Sequence, residues 1–417
     1  MKRKRIWLIN PFAMPPLYEA RVQTLKRAYY LIQNGYDVTI VSGSFLHNKG
    51  LNLIDDNSLY LETKYDDIFS FIHIKNSNYT SNGLKRILSL LEFHFKLWWV
   101  AKKFEKPDYI SHLAAVPFGN ITYFIAKKLK AHFIVDVVDL WPESFVAYGL
   151  ASKSNPIIKF SYLAERWLYH KAEAIVFSME GGKDYIMEKG WEKGRFLNVD
   201  LNKVFYINNG VDINDFNSNK LAYTLSDEDL LDFSTFKVVY IGSIRLANNL
   251  ISLINAAEYL QKFDAIKFLI YGDGDDREYL MNYCIQNNLK NVVFKNKWVE
   301  LKYVPFILSR SSLNILNYMP SALFRFGASQ SKSFQYMASG RPICSNVKMN
   351  YCPIERFNIG IAASFKDSKS YADAILSFYQ MEKTEYDDMC ARAKIAAQEY
   401  DYKVLTDKFI SVLQAIR

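Results

Sequence analysis

What most constrains this chain of 417 residues is an alternation that runs through it twice: short apolar runs bounded by turn residues, each followed by a longer segment with apolar residues at helical spacing. Such alternation predicts strand-helix-strand units with parallel sheets, because a parallel sheet is covered on both faces and its strands must be apolar throughout. In the first half strands are predicted over 6–10, 37–42, 109–112, 132–136 and 174–178, with helices over 20–34, 120–130 and 157–171 between them. The second half repeats the scheme with strands over 236–242, 266–271, 292–295, 312–316, 342–345 and 361–364. Asn208-Asn209-Gly210-Val211-Asp212 is a turn, and the stretch to Thr235 is rich in Asn, Ser and Asp, with Ser226-Asp227-Glu228-Asp229 suited to cap a short helix. The expected division is a first Rossmann-like domain over 1–206, a linker over 207–235 and a second Rossmann-like domain over 236–399.

Composition narrows the setting. Half of the residues are hydrophobic, yet no run of about 18 uncharged apolar residues occurs, so no membrane-spanning helix is expected. The start, Met1-Lys2-Arg3-Lys4-Arg5, is basic, but the apolar stretch after it is too short for a signal-peptide core, and the protein is expected to stay in the cytoplasm. Cys284, Cys344, Cys352 and Cys390 show no metal-ligand spacing and are read as reduced structural thiols. The net charge is +9, and residues 1–200 carry 27 Lys and Arg against 20 Asp and Glu. A basic half suits nucleic acid, anionic lipid or a phosphorylated substrate. No nucleic-acid-binding motif accompanies it, so nucleic acid is not expected as a partner.

The strongest local signal lies in the second half. Ser329-Gln330-Ser331-Lys332-Ser333-Phe334-Gln335-Tyr336-Met337-Ala338-Ser339-Gly340-Arg341-Pro342-Ile343 reads as a polar loop, an amphipathic helix, a glycine stop and a buried strand. A loop that runs into a helix N-terminus offers unpaired backbone N–H groups and the positive end of a dipole, an arrangement that holds a diphosphate. Lys332 in the first turn is a poor choice for the helix and a natural one for an anion; taken alone, it would be a lysine solvating a helix face.

This segment resembles the donor-site signature of the retaining family 4 glycosyltransferases. Further segments match in the family's order: Asn10-Pro11 and Arg21, then Asp139-Leu140-Trp141-Pro142-Glu143-Ser144, which is similar to the subgroup that builds surface polysaccharides, then Asn209-Gly210-Val211-Asp212, Tyr240-Ile241-Gly242-Ser243 and Ile270-Tyr271-Gly272-Asp273-Gly274. The resemblance implies the GT-B architecture, α/β with two Rossmann-like domains whose parallel sheets face across a cleft, and a last helix, 400–417, that returns to the first domain. It implies a nucleoside diphosphate sugar held by the second domain and an acceptor held by the first, and the expected donor is a UDP-sugar. Donor contacts are then expected from Gly242, Ser243, Arg245, Gly272, Gly274, Gly327, Ser329, Ser331, Lys332 and Gln335. No cofactor and no metal is expected, since backbone amides and cations neutralise the leaving diphosphate. Many relatives carry two glutamates where this chain has Gly327 and Gln335, and Gln335 can meet a ribose hydroxyl only without charge assistance.

On the acceptor side, Asp139 and Glu143 follow an apolar strand at the edge where ligands gather in open α/β sheets. Either carboxylate suits an acceptor hydroxyl or positive charge on the sugar ring, and the Trp-Pro spacer is expected to keep the segment out of a regular helix. The competing role for Asp139 is to cap a turn. His112 ends its strand and is a third candidate catalytic residue, with a satisfied structural histidine as the alternative. Segment 85–106 is helical in length, with tryptophans and lysines toward one end; it suits either contact with an anionic membrane or a place in the first domain's core. The expected activity is retaining, metal-independent transfer of a hexose or N-acetylhexosamine from a nucleotide sugar to a lipid-linked or polysaccharide acceptor, at the inner face of the cell membrane. The alternatives are a non-catalytic partner subunit and a nucleotide-sugar epimerase or hydrolase.

Overall fold

The first apolar run, Ile6-Trp7-Leu8-Ile9, is buried throughout and forms the middle of an eight-stranded sheet in the computed structural model, which describes residues 3–18, 22–80, 83–113, 118–194 and 196–416. The strands are β1 Arg5–Ile9, β2 Asp37–Gly43, β3 Tyr60–Tyr65, β4 Phe69–Ile74, β5 Tyr109–Leu113, β6 His132–Val137, β7 Ala174–Phe177 and β8 Val204–Tyr206. Their order is β8-β7-β6-β5-β1-β2-β4-β3. Ile6 pairs with Val38 on one side and Tyr109 on the other, and every pairing is parallel except that of the edge strand β3 on β4. The sheet is therefore not wholly parallel, and β3, β4 and β8 were not among the predicted strands.

One face of this sheet carries helix α1, Gln23–Gln33, and the chain's closing helix, Tyr402–Ala415; the other carries α2 Leu84–Val100, α3 Gly119–Leu129 and α5 Pro156–Lys171, with the short α4 Glu143–Ala147 before α5. Leu25, Ala28 and Leu31 of α1 share a core with Leu405, Phe409 and Leu413 of the closing helix. Arg21 and the first residues of the predicted helix 20–34 lie outside the described residues.

The second sheet has six parallel strands: β9 Phe236–Ile241, β10 Ile266–Tyr271, β11 Val292–Phe294, β12 Leu313–Leu316, β13 Ile343–Ser345 and β14 Gly360–Ala362, in the order β11-β10-β9-β12-β13-β14. Val238 to Tyr240 are wholly buried, as a strand covered on both faces requires.

The chain divides into two compact units, Met1–Asn208 with Tyr402–Arg417, and Asn209–Asp401. The stretch expected as a linker, 207–235, instead carries helices α6 Ile213–Ala222 and α7 Glu228–Leu231, and from Asn209 it belongs to the second unit. Phe216 and Leu230 are buried in that unit's core, and Asp227 caps α7 by accepting from the amides of Asp229 and Leu230. The polar composition that suggested a linker belongs to two short helices that each bury a single residue, Phe216 and Leu230.

Candidate functional site

In the second unit the loops after β9 and β10 lie against each other and against helix α8, Ser331–Ser339, whose range contains Lys332. The helix forms because Phe334, Tyr336 and Met337 share one buried face, and Gly340 stops it with a left-handed backbone, φ +66°. At its start Gln330 makes no side-chain cap, so the first turn keeps backbone N–H groups directed outward from the helix end.

The Lys332 side chain folds back over the β9 strand. Its Nζ donates to the Tyr240 hydroxyl at 3.0 Å and lies 4.5 Å from the centre of the Tyr240 ring. The Tyr240 hydroxyl in turn donates to the Ser243 carbonyl at 2.6 Å, which also accepts from Asn248 Nδ2 at 2.8 Å. Burial pushes Tyr240 well above the usual phenol value, so it stays a neutral hydroxyl able to accept from the lysine and donate onward. Burial pulls Lys332 down to about 8, and among the described residues no carboxylate is bonded to it. Gly242 gives this head group its room: a Cβ there would stand 2.8 Å from Lys332 Nζ. A half-buried ammonium at a helix N-terminus, oriented by a tyrosine and with no acidic partner among the described residues, has the chemistry that suits an anion.

The two glycines of Gly272-Asp273-Gly274 are explained by backbone packing. A Cβ at Gly272, φ +125°, would lie 1.9 Å from the Gly242 carbonyl oxygen, and one at Gly274 would lie 2.2 Å from that of Ile244. Ile244 N also bonds the Asp273 carbonyl at 2.8 Å. Arg277 locks the turn from behind: it is buried and donates to the carbonyls of Gly272 and, at 2.7 Å, Lys295. These glycines shape the floor under the Lys332 site.

The other donor-side candidates fall around the same helix end. Ser331 is exposed at its first position and Gln335 is half-buried one turn beyond Lys332, on the same helix face. Ser329 Oγ accepts from the Asn209 amide at 3.1 Å, and Gly327, φ +85°, closes the short helical turn Ala322–Phe326. Ser243 and Arg245 are exposed in the loop after β9.

The first unit corrects two expectations. Glu143 does not stand open to a ligand: it is buried, and Lys189 Nζ and Tyr162 Oη both donate to it. Against the upward pull of burial, these bonds hold its carboxyl below the usual value. A short helix, α4, begins at Glu143 directly after Pro142, so the Trp-Pro spacer does not keep the segment out of a helix; it sets the helix start. His112 is fully buried, 3.2 Å from His94 across their Nε2 atoms. His94 Nδ1 meets the Leu90 carbonyl at 2.7 Å and must donate, so its Nε2 accepts and His112 is the donor. Burial, and then the facing His94 ring, depress His112 well below the ordinary histidine value, so both rings are neutral. Asp139 alone of the three acceptor-side candidates is exposed.

Sequence reasoning missed the partners that complete these arrangements, Lys189, Tyr162 and His94 among them. Tyr240 and Arg277 fix the donor-side loops, as above. At the ends of β1, β5 and β6, Arg27 of α1 pairs with Asp136 beside a small cavity of about 20 Å³ lined by Leu8, Ile9 and Leu113 as well as Asn10, Thr24 and Ser111. The second Asp136 oxygen is buried and has no hydrogen-bond partner among the described residues. The available signal was an aspartate inside the apolar run Phe133-Ile134-Val135-Asp136-Val137 and an arginine on the apolar face of α1.

Residues 230–399 match the family model of glycosyl transferases group 1. This region holds Tyr240, Gly242, the Gly272–Gly274 turn and Lys332. No curated protein matches the chain by sequence. Among solved structures, the chain is similar to an E. coli trehalose-6-phosphate protein bound with UDP-2-fluoro glucose, at 11% identity, with 99% of each chain covered and a TM-score of 0.75. It is similar to sucrose-phosphate synthase from Thermosynechococcus elongatus, at 12% identity, 99% of each chain and a TM-score of 0.73. It is also similar to Anabaena HepE in complex with UDP-glucose, at 13% identity, 99% of each chain and a TM-score of 0.62. The fold is GT-B: two Rossmann-like units, each built on a mainly parallel sheet.

Proposed function

We propose that this protein is a retaining glycosyltransferase that moves a hexose or N-acetylhexosamine from a UDP-sugar to a lipid-linked or polysaccharide acceptor in the assembly of a surface glycan. The observation that carries the reading is the Lys332 site: an ammonium with no carboxylate partner among the described residues, held by Tyr240 at a helix N-terminus without a side-chain cap, within the region that matches the glycosyl transferase model. The UDP-sugar complexes of two structurally similar proteins support the choice of donor.

As the anomeric C–O bond breaks, the ring carbon becomes oxocarbenium-like and the diphosphate gains charge. Lys332 and the first-turn amides of α8 meet that charge, so transfer runs without a metal. Ser331, Ser243 and Arg245 line the exposed side, Gln335 takes a ribose hydroxyl, and Asp139 serves the acceptor hydroxyl or the charge on the ring. Among the described residues no helix is long and apolar enough to cross a membrane. The acceptor is reached by contact of 85–106 with the inner face of the cell membrane.

Calorimetric titration with UDP-, GDP- and ADP-sugars, on the wild type and on Lys332→Ala, tests the reading. Binding of a UDP-sugar that the variant loses supports it. Absence of binding by all three sinks it in favour of a non-catalytic partner subunit, and sugar release or epimerisation without acceptor points to the remaining alternative.

A further inference from the structure

Helix α2 has two apolar faces where a core helix needs one. Leu90, Phe93, Leu97 and Val100 face the core, and this leaves Leu84, Ile87, Leu88, Phe95 and Trp99 in solvent, Trp99 at 68% exposure. Helix α5 repeats the pattern: Ile158, Ala164 and Leu168 are buried, while Ile157, Phe160 and Leu163, three residues apart, are 73, 63 and 61% exposed. Between them α3 exposes Phe124. The three helices are neighbours on one face of the first sheet, α2 packed on α3 and α3 on α5. Side chains join them: Lys128 Nζ of α3 lies 4.6 Å over the Trp98 ring of α2, and the Phe124 ring is 5.6 Å from Trp167 of α5. The outward apolar groups thus form one patch across three helices, much larger than the single exposed side chains of an ordinary surface.

The charge around this patch has one sign. Residues 84–103, 119–130 and 156–171 hold eleven Lys and Arg and two Glu. Glu92 is tied to Lys96 and Ser77, and Glu165 is buried beneath α5, bonded by Tyr169 and Tyr185. We propose that the α2–α3–α5 face docks on an anionic lipid bilayer, its aromatic and aliphatic side chains entering the interface and its lysines meeting the headgroups. A second copy of this chain would set cation against cation, and a nucleic-acid backbone would satisfy the lysines but leave the aliphatic stripe of α5 against water. The inference rests on the membrane contact already proposed for 85–106 and extends it to α3 and α5, so that the unit lies flat on the surface.

Vesicle co-flotation of the full chain tests this, comparing phosphatidylcholine vesicles with vesicles rich in phosphatidylglycerol, for the wild type and for Trp99→Glu and Phe160→Glu separately. The expected result is flotation with the anionic vesicles alone, reduced about tenfold or more by either glutamate. Loss in Trp99→Glu with Phe160→Glu unchanged overturns the three-helix face and leaves contact through 85–106 only. Equal flotation with both vesicle types overturns the role of charge. No flotation, together with a dimer in sedimentation that Phe160→Glu dissociates, assigns the face to a second copy. UDP titration of the same preparations reads the donor site independently: loss of UDP binding in the wild type refutes the transferase reading without altering the vesicle result, and retained binding in the variants shows that they are folded.

Discussion

Replacing Lys332 with methionine is expected to stabilise the protein while removing the proposed donor site. Burial lowers the lysine from 10.5 to about 8, and a shift of this size corresponds to about 3 kcal/mol against the charged folded form. Lys332 is only half-buried, and solvent screening reduces this to about 2 kcal/mol. Methionine keeps the side-chain length without the charge. It loses the bond to Tyr240, worth about 1 kcal/mol, but Tyr240 keeps its bond to the Ser243 carbonyl and is not orphaned. The net gain is about 1 kcal/mol at pH 7, or about 3 °C in melting temperature for a unit of this size. The sign of the pH dependence follows from a folded pKa below the unfolded one. The cost of the charge is fully present below pH 8, where both states are protonated, and it is relieved between about 8 and 10.5 as the folded lysine releases its proton first. Differential scanning calorimetry with and without UDP, from pH 7 to 10, measures both effects. Lys332→Met should melt above the wild type at neutral pH, the gap should close as pH rises, and UDP should raise the melting temperature of the wild type alone. A variant that melts lower at pH 7, or a gap that stays flat to pH 10, would refute the reasoning.

Tyr240→Phe leaves Ser243 bonded to Asn248 but frees the Lys332 head group; UDP affinity should fall about fivefold in calorimetry, with the urea midpoint little changed. Gly272→Ala places a Cβ against the Gly242 carbonyl in a backbone region that alanine avoids, and should lower unfolding free energy by about 3 kcal/mol in urea titration. Glu143→Ala leaves the half-buried Lys189 without its carboxylate and should destabilise by about 2 kcal/mol, while the turnover of the folded fraction stays close to that of the wild type; a large loss of turnover would return Glu143 to the catalytic set.

Much of this architecture was legible because parallel strands covered on both faces read as unbroken apolar runs, and Phe236–Ile241 and Ile266–Tyr271 are of that kind. The edge hairpin β3–β4 was not. Tyr60–Tyr65 is largely exposed, with Glu62 and Lys64 outward, and its composition is that of a loop. At the site, Lys332 stood out because a lysine opening an apolar helix is locally inconsistent. Its partner Tyr240, 92 residues away, reads as one more apolar strand residue until the fold brings the two together. Glu143 and His112 misled for the same reason: each ends an apolar segment, as site residues do, and only the tertiary structure supplies Lys189 and His94, which make them interior groups. Conserving local rules does not reveal which polar residue has been given a buried partner.

The closing helix Tyr402–Ala415 has a consequence for how the molecule comes into being. Its Leu405, Phe409 and Leu413 complete the core that begins with Ile6 and Leu25, so the first unit to leave the ribosome cannot finish folding until the second has been made. During that interval the apolar side of α1, with Leu25, Ala28 and Leu31, has no cover. Synthesis therefore reverses the order of the chain: the unit encoded first matures last, and a nascent chain stalled between the two events presents an uncovered face that holdase chaperones are built to shield.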